Sequence, residues 1–524
     1  MKTVRAFSIV AAFTLLSNLL GYVRDAALAA NFGMSTATDA YFAAFFVPNT
    51  LFLILIGGSV SAVFVPVFIE CLGNDREEAW YVASCVFNVS ALVLGVIVFM
   101  TVLTVQKWLA LLFPGFGGDT LQLSVELSLL LLPMLLITGL SALLTAALNS
   151  FEHFTIPALA PVISNVIVIV AILLSGHLGG IYGVAIGVLI GMLVQLVVQV
   201  PMLVRYGALY RPVMNVRHPA LRRMERLALP LVGYLAVAYA SVAAERLIAS
   251  TLPEGTVSAL NYAMRLFVLP IALFAGSLGT VIYPRLSLEA GKDDEGGAFA
   301  VSLSRATGLT VFVLTPVSLW LIVNSHWVVA LLYGRGRFTS EDVRLTALFV
   351  SGYSIGMMPT GVAGILQKGL YAMRDTVTPL KIEVGNLVLY IAVASGLASL
   401  FGAAGLSVAR GLSFIAVAAA SILAYRRYKQ VVFRSMWSWS VAGRYSVSCV
   451  FASLIWVSPL WISQAMDAAM TKELDFLIMT VSTVVGFAAY LGIAHRLGLN
   501  EARLAAGSCA ALINGVMGLG CRIH

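Results

Sequence analysis

Residues 24–48, RDAALAANFGMSTATDAYFAAFFVP, and residues 245–270, ERLIASTLPEGTVSALNYAMRLFVLP, parallel each other around Tyr41 and Tyr262. Two further pairs fall at nearly the same offset, about 220 residues. Gly58-Ser59 followed by Val63 and Pro66 recurs as Gly276-Ser277 followed by Val281 and Pro284, and Pro157 with Asn165 is echoed by Pro379 with Asn386. Small residues and prolines recur by chance in apolar sequence, but three coincidences at one offset do not. The chain therefore carries an internal repeat, an arrangement from which many transporters are built.

Working outward from that repeat, the background is a membrane composition. Of 524 residues 60% are hydrophobic and 11% charged, far from the roughly 25% charged content of soluble domains. The expected fold is an all-α polytopic membrane protein of about fourteen spans, each needing about 20 apolar residues, with no room for a sizeable soluble domain. Apolar runs place spans at 7–30, 37–70, 80–105, 121–150, 156–176 and 181–204, then at 227–252, 257–288, 298–323, 343–373, 376–400 and 402–425, and finally at 445–466 and 474–494. The expected organisation is an N-terminal six-helix lobe (1–204), a basic linker (205–226), a second six-helix lobe (227–425), a basic loop (426–444), two extra helices (445–494) and a tail (495–524). An even number of spans per half makes the halves point the same way, so their symmetry axis should follow the membrane normal.

Cytoplasmic loops carry the excess of Lys and Arg. With the N-terminus inside, 19 of the 32 lie inside, 4 outside and 9 within these spans, so both termini are expected in the cytoplasm. The net charge of +8 is dispersed between apolar runs rather than gathered on one face, which argues against nucleic acid. Five cysteines, none at metal-ligand spacing, give neither a disulfide framework nor a zinc site, and no metal is expected. Lys2 and Arg5 before an apolar run imitate a signal peptide, but Arg24 and Asp25 interrupt it, so a retained first span is expected. A P-loop and HExxH are missing, Gly352-Tyr353-Ser354-Ile355-Gly356 matches GxSxG only inside an apolar span and not at the strand-to-helix turn a nucleophile elbow needs, and the six histidines are scattered, so no catalytic residue and no cofactor is expected.

An ionisable group at mid-bilayer costs about 2.5–3.5 kcal/mol on insertion scales, so each one needs a cavity, a partner or a task. The candidates are Arg24, Asp25, Asp39, Glu245, Arg246, Arg265, Lys368 and Arg410. Arg24 lies well inside the first span, and the repeat sets Arg265 opposite the second. Two guanidinium forks facing one partly dehydrated cavity suit a diphosphate, which each binds bidentately. Local pairing is the alternative for Arg24 with Asp25 or Asp39, and it is the favoured reading for Glu245 with Arg246. Neighbours on a helix point about 100° apart, which weighs against pairing between adjacent residues. Lys368 and Arg410 have no repeat partner, and a long side chain can snorkel. The series Gly183, Gly187, Gly191 reads as close helix packing.

LLGYVRDAALAANFG with TDAYFAAFFVPN, LPEGTVSALNYAMRL with YPRLS, and GLYAMRDTVTPLK resemble the MurJ/MviN lipid II flippases, in the superfamily that also holds multidrug (MATE) and polysaccharide exporters. The resemblance implies a fourteen-helix, MATE-like V-shaped transporter in the bacterial inner membrane. Its substrate would be undecaprenyl-pyrophosphate-linked peptidoglycan precursor, moved from the cytoplasmic to the periplasmic leaflet. It also implies that Arg24, Asp25, Asp39 and Arg265 belong to a central cavity. Asn18, Glu245, Arg246, Lys368 and Arg410 are expected as secondary cavity positions, the four charged ones from the residues themselves. The last two spans would form a groove for the lipid tail. Membrane lipids, the peptidoglycan-synthesis machinery and a monomeric state go with that reading, and the coupling ion, sodium or proton, stays open. Asn18, Phe52 and Gly57 stand where family members often carry charge, which keeps a flippase for another polyprenyl-linked glycan in view. A drug or cation antiporter of the same superfamily calls for an acidic, aromatic cavity, and this one reads as net basic. A scaffold recruiting envelope-synthesis enzymes through its basic loops is the remaining alternative.

Overall fold

The computed structural model describes residues 2–57, 63–290, 297–425, 439–465, 472–499 and 501–502, and these are helices joined by short turns. In chain order they are α1 (Lys2–Phe32), α2 (Thr36–Phe52), α3 (Val65–Asn74), α4 (Arg76–Leu112), α5 (Gly118–Leu131), α6 (Pro133–Ser150), α7 (Thr155–Leu173), α8 (Ile181–Val197) and α9 (Val200–Arg205). Then follow α10 (Pro219–Ser250), α11 (Thr256–Ile271), α12 (Ser277–Ala290), α13 (Gly297–Tyr333), α14 (Ser340–Ile355), α15 (Met357–Ala372), α16 (Val377–Ala424), α17 (Trp439–Ala465) and α18 (Lys472–Arg496). A π-helical turn, Leu53–Gly57, follows α2, and a second, Ala272–Gly276, follows α11. These turns sit at the repeat offset of about 220 residues and each lies a few residues beyond a proline, Pro48 or Pro270. The repeat thus extends to the backbone. Gly58 and Ser59 of the sequence match lie outside the described residues, as do most of the expected basic loop 426–444 and most of the tail 495–524.

Among the described residues ten helices are long and apolar enough to cross a bilayer, or eleven if α14 and α15, bent by 43°, count as one span. The expected number was about fourteen. The difference lies in α1, in α17, and in α16, where one continuous helical assignment covers two expected spans. Gly402, at φ 58° and ψ −134°, breaks α16 within its length. That conformation belongs to glycine, because a Cβ would collide with the adjoining carbonyl.

Local signals set the limits. Asp75 caps α4 by accepting from the Glu77 amide at 2.9 Å, and Glu77 and Glu78 add negative charge to its first turn. Pro133 and Pro219 open α6 and α10, where a missing N–H costs nothing. Gly187 and Gly191 meet α7 so closely that an added Cβ would lie 2.2 Å from the Ala171 Cβ and 2.9 Å from the Ser164 Oγ. These glycines let two backbones approach where lipid supplies no hydrophobic drive.

The chain forms two compact units. One comprises 1–262 with 332–343, the other 263–331 with 344–524. This division differs from the expected lobe boundary at 205–226. α10 packs on α4, and the start of α11 is tied to α2, so these elements of the second repeat belong with the first unit. In the first unit α1 lies along α7 and α7 along α8, and Phe64, Phe68, Trp80 and Leu135 centre one of its apolar clusters. In the second, Leu303, Leu366, Leu370 and Tyr425 centre one cluster, and Trp456 and Tyr490 of α17 and α18 pack with Phe312 in another.

Candidate functional site at paired helix N-termini

Within the first unit, α2 and α11 occupy equivalent places in the repeat and each caps the other. The buried Asp39 carboxylate, 4% exposed, accepts from the Gly255 and Ser258 amides at 2.8 Å each and from the Ser258 hydroxyl at 2.5 Å. Those amides are the unsatisfied donors that open α11, so charge and helix dipole are complementary. In return, the exposed Glu254 carboxylate accepts from the Thr36 amide at 2.5 Å and from the Thr36 hydroxyl, at the start of α2. Each helix is therefore closed by an acid from the other repeat.

Neighbouring turns complete the cluster. Gly33 (φ 63°), Gly255 (φ 85°) and Gly336 (φ 63°) are all left-handed. The Arg337 amide donates to the Ala30 carbonyl at 2.8 Å, and a Cβ on Gly336 would stand 2.2 Å from that same oxygen. The Gly115 amide donates to the Ser250 hydroxyl at 3.3 Å. A cavity of about 220 Å³ lies here, bounded among others by Thr36, Asp39, Thr120, Ser250 and Glu254. Phe42, Tyr262, Tyr333 and Phe338 form an aromatic layer beneath, with Phe42 edge-on to Tyr262 at 5.5 Å.

The first unit also holds Arg24. Its Nε and Nη2 donate to one Asp25 oxygen at 3.0 and 2.9 Å, and its Nη1 donates to Asn165 Oδ1 at 3.4 Å. The angle between neighbours weighed against this pair, and the alternative of local pairing with Asp25 is the one that forms: the long Arg24 side chain folds back across the gap. Asn165 is itself oriented by Ser17, donating to its carbonyl at 3.1 Å. The guanidinium is 26% exposed and Asp25 nearly covered. Asn18 is exposed on α1. Glu245 is wholly buried on α10, and Arg246 beside it donates to Asn261 at 2.9 Å with its guanidinium 5.5 Å from the Phe46 ring centroid.

The remaining expected site residues belong to the second unit. Arg265 is exposed on α11, and Lys368 is half-buried on α15 where α12 passes close at Gly279. Arg410 is 3% exposed, its guanidinium 4.2 Å from the Tyr390 ring centroid and 5.6 Å from that of Phe414. This is a packed cation–π stack rather than a snorkelling side chain. Asn386, the counterpart of Asn165, accepts from the Ser413 hydroxyl at 2.7 Å, tying together the two segments of α16 on either side of Gly402, whereas Asn165 of α7 holds α1. Sequence reasoning missed Glu254 and Ser258, whose roles depend on contacts more than 200 residues apart. The available signal was an acid next to a glycine at the head of a repeat helix.

Residues 28–499 match the family model described as lipid II flippase MurJ. The chain belongs to the MurJ family. A lipid II flippase MurJ of Burkholderia cenocepacia is 29% identical over 517 residues, 96% of this chain and 99% of that one. A probable lipid II flippase MurJ of Vibrio cholerae is 30% identical over 418 residues, 77% and 79% of the two chains. A solved MurJ in an inward closed conformation superposes with a TM-score of 0.76 at 24% identity, covering 93% of this chain and 97% of that one. An inward-facing MATE transporter superposes at 0.66 and 15% identity, over 81% and 98%. MurJ and MATE proteins thus share this all-helical fold. MurJ-family membership makes the chain one of a family of multi-pass membrane transporters.

Proposed function

We propose that this chain is a lipid II flippase, carrying undecaprenyl-pyrophosphate-linked peptidoglycan precursor from the cytoplasmic to the periplasmic leaflet of the inner membrane by alternating access. The family match over 28–499 carries this reading. In the proposed cycle Arg24 and Arg265 hold the diphosphate. Arg24 is suited to it: Asp25 and Asn165 fix the orientation of a guanidinium that has five donors, three of which make those bonds. The cross-caps of Asp39 on α11 and Glu254 on α2 act as a latch, closed while the substrate site opens to the cytoplasm and broken when it opens outward. A charged ligand crossing the membrane also feels its potential, about 2.3 kcal/mol per charge per 100 mV.

Depleting the protein and measuring where lipid-linked precursor collects tests the function. Accumulation in the cytoplasmic leaflet is expected, and an undisturbed distribution would refute the flippase. Arg24→Ala and Arg265→Ala test the site separately. Each variant is expected at normal abundance without restoring growth, and full complementation by both would remove the arginines from the diphosphate site while leaving the flippase reading intact.

A further inference from the structure

Residues 206–218, joining α9 to α10, are a non-helical strap pinned along the first half of α4. The Ser84 hydroxyl accepts from the Arg211 amide at 3.1 Å, and Asn88 Nδ2 donates to the Arg211 and Val213 carbonyls at 3.1 and 2.9 Å. Tyr210 OH donates to Asn88 Oδ1 at 2.7 Å, and Arg211 pairs with Glu77 at 3.0 Å. Asn215 turns toward α4, where its Nδ2 donates to the Tyr81 hydroxyl at 3.4 Å, whereas Leu209, Met214 and Val216 are 51%, 53% and 60% exposed.

The level of this strap along α4 identifies its surroundings. The exposed face of α4 is apolar from Leu92 to Leu103 and, past Gln106 and Lys107, whose long side chain snorkels at the far end, again at Trp108 and Leu111; the whole run is about 30 Å of helix, the hydrocarbon thickness of a bilayer. Asn88, the main anchor of the strap, lies one turn before that face begins. The strap therefore sits at the boundary between acyl chains and headgroups. There, apolar side chains facing outward have lipid to enter.

Charge completes the argument. Residues 205–226 contain six arginines and one glutamate. Arg211 and Arg223 are paired, with Glu77 at 3.0 Å and Glu70 at 2.7 Å. Arg205, Arg217, Arg222 and Arg226 are exposed and make no ion pair among the described residues. Four exposed guanidinium groups beside outward apolar side chains, at headgroup level, complement a negatively charged lipid surface. We propose that the strap, together with the first turns of α10, forms an interfacial segment, 205–226, that binds the phosphates of acidic phospholipids, Arg217, Arg222 and Arg226 supplying most of the attraction. The linker between the repeats is then a lipid-contacting element held on the first unit, not a free tether.

Full-length protein in detergent, titrated with phosphatidylglycerol, phosphatidylcholine or undecaprenyl pyrophosphate while thermal unfolding is followed, tests this. Phosphatidylglycerol should raise the unfolding midpoint and phosphatidylcholine should not. The triple variant R217Q/R222Q/R226Q should need at least about tenfold more phosphatidylglycerol for the same shift, and R217K/R222K/R226K should stay close to wild type. Equal responses of the Gln triple and wild type, equal action of the two phospholipids, or a strap-dependent response to undecaprenyl pyrophosphate alone would overturn the proposal. A spin label on Val216→Cys, in a chain whose native cysteines are replaced by Ala, gives a readout with the arginines intact. In phosphatidylglycerol bilayers it should be more accessible to oxygen than to an aqueous nickel chelate, and the reverse order would overturn the strap's placement.

Discussion

Three arginines in apolar helices show three ways of holding a guanidinium away from bulk water. Arg24 folds back on Asp25, Arg246 combines Asn261 with the face of Phe46, and Arg410 lies over Tyr390 and Phe414. Their positions were legible in the sequence, because a charge in an apolar run stands out. Their partners were not, since Asn165 lies 141 residues from Arg24 and an aromatic face carries no polar signature. Asp39 was legible as a buried acid, but its bonds to the amides of Gly255 and Ser258 were not, because main-chain donors leave no trace in a residue pattern. Asp39→Ala would leave these donors without their acceptor. It is expected to cost about 1–3 kcal/mol, as for a lost charged cap, against about 1 kcal/mol or less for Glu254→Ala, whose carboxylate is exposed. Thermal unfolding of both variants in detergent measures the order, and an equal or larger loss at Glu254 would contradict it. His153, in the turn between α6 and α7, is a separate case. Burial holds its proton affinity below the ordinary histidine value. The unfolded chain then binds the proton better, so stability rises with pH through about 6.5 and declines below it. His153→Gln should flatten that slope, as read from unfolding midpoints across pH 5 to 8.

At the scale of elements, two glycines carry conformations that other residues resist. Gly402 turns the chain within α16, at the break the apolar pattern set between spans 376–400 and 402–425. That boundary was legible because a glycine interrupted the hydrophobic run. Gly336 was not singled out, because what makes it special is the nearness of the Ala30 carbonyl, a contact made by folding. Ala at either position is expected to destabilise by about 1–3 kcal/mol, from a positive φ at both and a direct clash at Gly336. Protease sensitivity and unfolding midpoint report the loss. Gly233→Ala, in open surroundings on α10, should be neutral or slightly stabilising, through helix propensity. The π turns escaped the sequence reading, which took 37–70 as one continuous span. A π turn changes only which amide meets which carbonyl, and the prolines before it are its sole mark.

For the molecule as a whole, the repeat and the compact units divide the chain differently. The repeat records the descent of the sequence, whereas the units record which helices touch, and α10 with the head of α11 lies on the far side of one boundary and the near side of the other. Composition alone made the membrane class legible, and the three matched segments made the family legible. The proposed orientation puts the strap at 206–218 in the cytoplasm and the turns near Gly115, Glu254 and Gly336 outside. Short epitope insertions after Asn215 and after Arg335 are expected to be reached by antibody from opposite sides of the inner membrane in spheroplasts, the second without permeabilising that membrane. Both responding on one side would reverse or break the topology.

The matched π turns at Leu53–Gly57 and Ala272–Gly276 have a rotational consequence. Each accommodates an extra residue relative to α-helical winding, and one residue of an α-helix subtends about 100°. If such a turn anneals into regular α-helix while the chain before it stays fixed, everything beyond must revolve about the helix axis by nearly that angle. A residue facing lipid would then face protein. The two turns stand at the same point of both repeats, and annealing either one is coupled to about a quarter-turn of the side chains beyond it.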